Sequence, residues 1–138
     1  MQAGVTVSSD QSAVSLAALG WSAFYSEQLE PGEAELAPMR VATVHRDRVT
    51  AVSERGPVRL ELSARSQTTD FAVGDWVLVD HGTRMLVRRL NRRMLLQRKS
   101  EGRRPMQLIA ANVDTLLIVT SCHKVASSCQ TLLRRYVP

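Results

Sequence analysis

From Met39 to Leu90 the chain alternates apolar and polar residues with a period of two, and turn formers interrupt the pattern at short intervals. "MRVATVHR" (39–46) predicts a first strand. His45–Arg46–Asp47–Arg48 makes the turn and "VTAVS" (49–53) returns. After "ERGP" (54–57), Val58, Leu60 and Leu62 alternate with Arg59, Glu61 and Ser63, as in a half-buried strand. "AVGDWVLVD" (72–80) sets a Gly-Asp turn ahead of Trp76–Val79, Gly82 turns the chain again, and "MLVRRL" (85–90) completes the set. Five short, turn-punctuated strands predict a small all-β unit over 39–90, closed into a barrel so that no edge is left open. A five-stranded OB-type barrel is the economical fit; an SH3-like barrel is the competitor that the pattern alone does not separate.

Outside that unit the pattern changes. Ser9–Asp10 is placed to cap a short helix with Ala13, Val14, Leu16 and Ala17 on its apolar side, ending near Gly20. "SEQLEPGEAELAP" (26–38) reads as an acidic, exposed linker, so residues 1–38 form an N-terminal helical and linker segment. Residues 91–107 read as a basic connector. In "LIAANVDTLLIVTS" (108–121) both alternations are apolar around Leu116–Val119, the signature of a strand buried on both faces in a parallel α/β sheet. Residues 108–138 therefore read as the start of an α/β domain.

Composition adds constraints. The chain has 138 residues, 44% hydrophobic and 22% charged, which describes one globular domain of ordinary polarity. No apolar run reaches the eighteen or so residues of a membrane span, and the N-terminus lacks the positive region of a secretory signal. The expectation is a cytoplasmic monomer with no membrane partner. Cys122 and Cys129, with His123 between them, supply too few ligands for a zinc site, which needs about four; no metal is expected.

Charge is unevenly distributed. Residues 1–38 hold five acids and no Lys or Arg, whereas residues 84–104 hold eight Arg and one Lys against one Glu. Such a patch attracts polyanions by neutralising phosphate and releasing counterions. Arg88, Arg89, Arg92, Arg93, Arg98, Lys99, Arg103 and Arg104 are the candidate RNA-binding residues, because the guanidinium fork both grips phosphate and stacks on bases. Only six residues are aromatic, and Trp76 is assigned to the core, so recognition of RNA backbone and shape is expected. No constellation supports catalysis. The glycines never give the phosphate-loop spacing, no Asp precedes a Gly by three, Asn112 and Asp114 do not form a guanine-reading element, and Asp75 reads as a turn former.

"LGW" (19–21) with Phe24 and Gln28, then "RVATVHRDRVTAVSERG" (40–56), "AVGDWVLVD" (72–80), "LLQRKSEG" (95–102) and "QLIAANVDTLLIVTS" (107–121) occur in that order. Together they closely resemble the N-terminal region of the ribosome small-subunit-dependent GTPase family RsgA (YjeQ/EngC), over about residues 13–122. The resemblance implies an N-terminal OB-fold that contacts 16S rRNA of the 30S subunit during its maturation. A circularly permuted GTPase domain and a zinc-binding domain follow in the family, whose cofactors are GTP, Mg and Zn. It implies that the basic connector lies at a domain junction and that 109–120 opens the GTPase domain. After Cys122 the family pattern is lost and no phosphate loop, switch or zinc motif occurs. The expectation is a truncated or frameshifted product with no bound cofactor and no GTPase activity, binding rRNA. The alternative is a protein-interaction barrel docking on a ribosomal protein or a GTPase partner.

Overall fold

The computed structural model of the chain describes residues 14–99, 106–117 and 119. The Ser9–Asp10 helix cap, Arg103, Arg104 and the cysteine pair lie outside them. Among the described residues seven strands form: β1 Ala37–Val44, β2 Val49–Ser53, β3 Gly56–Leu60, β4 Trp76–Val79, β5 Leu86–Arg89, β6 Leu95–Arg98 and β7 Gln107–Ala111. The first five make an antiparallel sheet in the order β3-β2-β1-β4-β5, and β6 pairs with β7 in a separate two-stranded sheet.

β1 has two partners in succession. Its first half pairs with β4, from Ala37↔Val79 to Arg40↔Trp76. Its second half pairs with β2, from Arg40↔Val52 to Val44↔Val49, with an irregularity between Val41 and Thr43. Pro38 is tolerated because only one side of β1 is paired at that point. The switch of partner curls the sheet around its inner face. There Met39, Val41, Val49, Ala51, Leu60, Phe71, Val77, Val79 and Leu86 form the main core.

Among the described residues the expected closed barrel is not formed. The end strands β3 and β5 are joined beyond β3 by a single parallel bridge, Glu61↔Met85. Its hydrogen bonds run from the Glu61 amide to the Arg84 carbonyl and from the Leu86 amide to the Glu61 carbonyl, each 2.9 Å.

β4 is buried on both faces. Val77 and Val79 enter the main core, while Trp76 and Leu78 point the other way into a second cluster with Tyr25 and Leu90. Leu16, Leu19, Trp21 and Leu36 pack over that cluster. The N-terminal segment is thus a cover for the outer face of the sheet. The expected helix ending at Gly20 is a run of turns over 16–20, and a four-residue helix, α1, occurs at Ala23–Ser26. The stretch expected to be an exposed linker carries a 3₁₀ turn at Pro31–Glu33 and the first two residues of β1.

Two further expectations are corrected. The basic connector contains β6, a strand in its own right. The doubly buried strand expected over 109–120 stops at Ala111, where Asn112 turns to a φ of 56°. Beyond it Leu117 and Val119 are 82% and 83% exposed.

β7 reaches the main sheet at the β4 entry loop. The Ala111 amide donates to the Val73 carbonyl at 2.7 Å. Gly74 has φ +93°, and a Cβ there would lie 2.1 Å from the Ala111 carbonyl oxygen. Glycine is required both by the left-handed backbone and by the absence of room. Gly74→Ala is therefore expected to lower stability by about 2 kcal/mol or more, read as a fall in the urea midpoint. An unchanged midpoint would disprove the close approach.

Candidate nucleic-acid interface

The cationic stretch divides according to what each side chain touches. Arg88 on β5 faces the N-terminal cover: its Nε and Nη2 donate to the two Glu33 carboxylate oxygens at 2.5 and 2.6 Å, and Nη2 also donates to the Gln28 carbonyl at 2.7 Å. Glu33 sits there because the 3₁₀ turn aims it back, where its carboxylate also accepts the Glu30 amide at 2.9 Å. The Arg88 hydrogen bonds and the Glu30 amide hold the Glu33 carboxyl down at about 2, and the same pair pushes the Arg88 guanidinium up.

Arg92 grips Asp75 in a bidentate pair, Nε to Oδ1 at 2.6 Å and Nη2 to Oδ2 at 2.7 Å, and Nη2 reaches the Asp70 carbonyl at 3.1 Å. Asp75 has no exposed surface. Its second oxygen accepts the Ala72 amide at 2.8 Å, so the expected turn former is also a buried anion. Arg89 is half-buried, with Nη1 donating to the Leu90 carbonyl at 3.4 Å.

Arg93, Arg98 and Lys99 are exposed and have no carboxylate partner among the described residues. The Arg93 backbone is anchored, its amide donating to the Asn112 Oδ1 at 2.8 Å, while its guanidinium lies 6.0 Å from the centre of the Phe24 ring. Arg98 and Lys99 follow at the end of β6. Of the eight candidates, three thus present free cations, two are bound to carboxylates, one bonds backbone, and Arg103 and Arg104 lie outside the described residues.

Asn112 joins the parts. Besides Arg93, its Nδ2 donates to the Gly74 carbonyl at 2.9 Å, its amide donates to the Met94 carbonyl at 2.8 Å, and its carbonyl accepts Arg40 Nη2 at 2.9 Å. Arg40 also donates from Nη1 to the Leu19 carbonyl at 2.6 Å. A cavity of about 290 Å³ opens beside this junction, lined by Tyr25, Arg40, Arg93, Asn112 and Asp114 among others. Burial pushes the Tyr25 phenol up, with Arg93 and Arg40 opposing. Among the described residues, no cluster of three or more His, Cys, Asp or Glu is placed to hold a metal, and no helix is long and apolar enough to cross a membrane.

Glu33, Phe24, Arg40 and Asn112 were not singled out as site residues by sequence. The one available signal for Glu33 was the acid-only N-terminal segment facing a chain otherwise rich in arginine.

No protein-family model matches the chain. Individual relatives do. A small ribosomal subunit biogenesis GTPase RsgA of Mesorhizobium japonicum is 52% identical over 112 residues, which cover 81% of this chain and 32% of that protein. The chain belongs to the RsgA family. RsgA 2 of Vibrio vulnificus is 39% identical over 77% of the chain and 30% of its own length, and RsgA 2 of Vibrio parahaemolyticus 37% over 75% and 28%. The chain spans about a third of the length of these curated relatives. Two of the blocks that carried the RsgA resemblance, "AVGDWV" and "IAANVD", meet in space at Gly74, Ala111 and Asn112.

Two outcomes follow from the carboxylate pairs. Asp75→Ala strands the Arg92 charge in a mostly buried site and is expected to cost about 3–5 kcal/mol, measured by urea unfolding. Glu33 titrates lower in the folded chain than its ordinary 4.5, so its stabilisation is complete above about 4.5 and is lost as pH falls towards 2. The stability difference between wild type and Glu33→Gln should shrink across that window; a difference constant from pH 6 to 2 would contradict the assignment.

Proposed function

We propose that this chain is an RNA-binding unit of the small ribosomal subunit biogenesis apparatus, with an OB-type β-fold over residues 37–90 that contacts 16S rRNA in the cytoplasm. Three things support the reading. The relatives it matches carry the name of small ribosomal subunit biogenesis GTPases. The strand order β3-β2-β1-β4-β5, with a parallel bridge where its two ends approach, supports an OB-type arrangement of the five strands. The observation that carries it is the set of exposed cations Arg93, Arg98 and Lys99 at and around β6, left over after the carboxylates have taken Arg88 and Arg92. Arg103 and Arg104 extend the same basic stretch in sequence.

The chemistry proposed is binding. The part proposed for these residues is to hold RNA, and GTP hydrolysis is not assigned to them. It acts as a monomer, with no bound cofactor.

The test is fluorescence anisotropy with a labelled 16S rRNA fragment at several salt concentrations. Affinity should fall steeply with salt, and replacing Arg93, Arg98 and Lys99 by Ala together should reduce the log–log slope by about 1.5–3, from the two or three phosphate contacts these cations make. Salt-independent binding, or an unchanged slope in the triple variant, overturns this reading. Capture of a ribosomal protein without RNA would favour the protein-docking alternative.

A further inference from the structure

Phe24 is 40% exposed although it belongs to an aromatic cluster. Its ring stands edge-on to Tyr25, with centroids 5.1 Å apart and an interplanar angle of 85°. Tyr25 in turn packs on Trp21 at 5.6 Å and on Trp76 at 5.7 Å, and Trp21 meets Trp76 at 4.8 Å. Tyr25 and Trp76 are buried, so Phe24 is braced by the cluster while 40% of it remains exposed.

The guanidinium of Arg93 lies over that ring at 6.0 Å. Its backbone is pinned by Asn112, but the side chain has no carboxylate to hold it among the described residues. Two stacking contacts of about 3.5–4.0 Å each need about 7–8 Å between the outer groups, so an opening of about 1–2 Å admits a flat ring between phenyl and guanidinium. Arg93 also lines the 290 Å³ cavity, where Asp114 is a further polar group on the wall.

We infer that Phe24 and Arg93 form a platform that takes one unpaired nucleobase of a bound RNA. The inference rests on the RNA-binding reading above and adds a site to it. The basic patch alone senses phosphate, which every RNA presents equally, whereas a base–aromatic contact requires an unstacked nucleotide. The platform therefore directs the chain to single-stranded loops or bulges. Arg98 and Lys99, a few residues along, serve the phosphates of the same strand.

The experiment compares a labelled single-stranded RNA dodecamer with an abasic strand of the same length and charge, both by anisotropy at one fixed salt concentration. Wild type should bind the intact strand about tenfold or more tightly over the abasic one, in keeping with the size of base–aromatic stacking. Phe24→Ala should reduce intact-strand affinity to the abasic level while leaving abasic binding and its salt slope alone. Phe24→Leu, which keeps apolar bulk over Tyr25 but has no planar face, should do the same and covers the case in which the alanine variant does not fold. Equal binding of both strands by wild type overturns the platform while leaving the RNA reading in place. Equal weakening of both strands by Phe24→Leu also overturns it. Binding of neither strand overturns the RNA reading itself.

Discussion

The Ala72–Asp75 turn is where the separate parts of this chain are fastened. Asp75, fully buried, receives a bidentate Arg92 and the Ala72 amide. Its carbonyl accepts the Val41 amide at 2.8 Å, and the Gly74 amide returns to the Val41 carbonyl at the same distance. One turn thus continues the β1–β4 pairing, ties down the chain after β5, and presents Gly74 to β7. A buried carboxylate is tolerable only when every oxygen is satisfied, and here the cation and the amide do so together. Removing either charge would leave the other stranded, which couples the sheet to the segment at 92–94.

A second set of polar contacts fastens the N-terminal cover. Glu33–Arg88 and Arg40–Leu19 hold its two ends, while Gln28 accepts the Asn91 amide at 2.6 Å between them. Beneath these lies the aromatic cluster on Trp76 and Leu78. The apolar contacts supply most of the stabilisation, on the order of 1.5–3 kcal/mol for each large side chain fully buried. The polar contacts fix where the cover sits.

The strands were legible because their signal is local. Period-two alternation located β1, β2, β3 and β5 to within a few residues, and Gly74–Asp75 marked the turn before β4. What failed was non-local. Nothing in "SEQLEPGEAELAP" reveals that Glu33 meets Arg88 fifty-five residues on, so the segment reads as solvated. Arginines that neutralise buried acids and arginines that face solvent have the same composition, so the whole run 88–104 reads as one patch. The apolar run after Asn112 has the pattern of a buried strand. Its Leu117 and Val119 are exposed, because Asn112 is turned out of strand geometry by the hydrogen bonds it makes to three other segments.

That division among the arginines gives the surface its character. A uniform cluster of cations would repel itself and bind any polyanion with equal ease. Here two of them are paired with the chain's own carboxylates, and those partners hold the sheet, the cover and the 92–94 segment in register. Those left exposed are carried on backbone that is already fixed: Arg93 by Asn112, and Arg98 by its pairing with Gln107. Less backbone freedom remains to be lost when such a group meets a phosphate or a base, so more of each contact appears as affinity. The internal Arg92–Asp75 pair fixes the start of the 92–94 segment, and with the Asn112 contact it sets the backbone from which the exposed Arg93 projects.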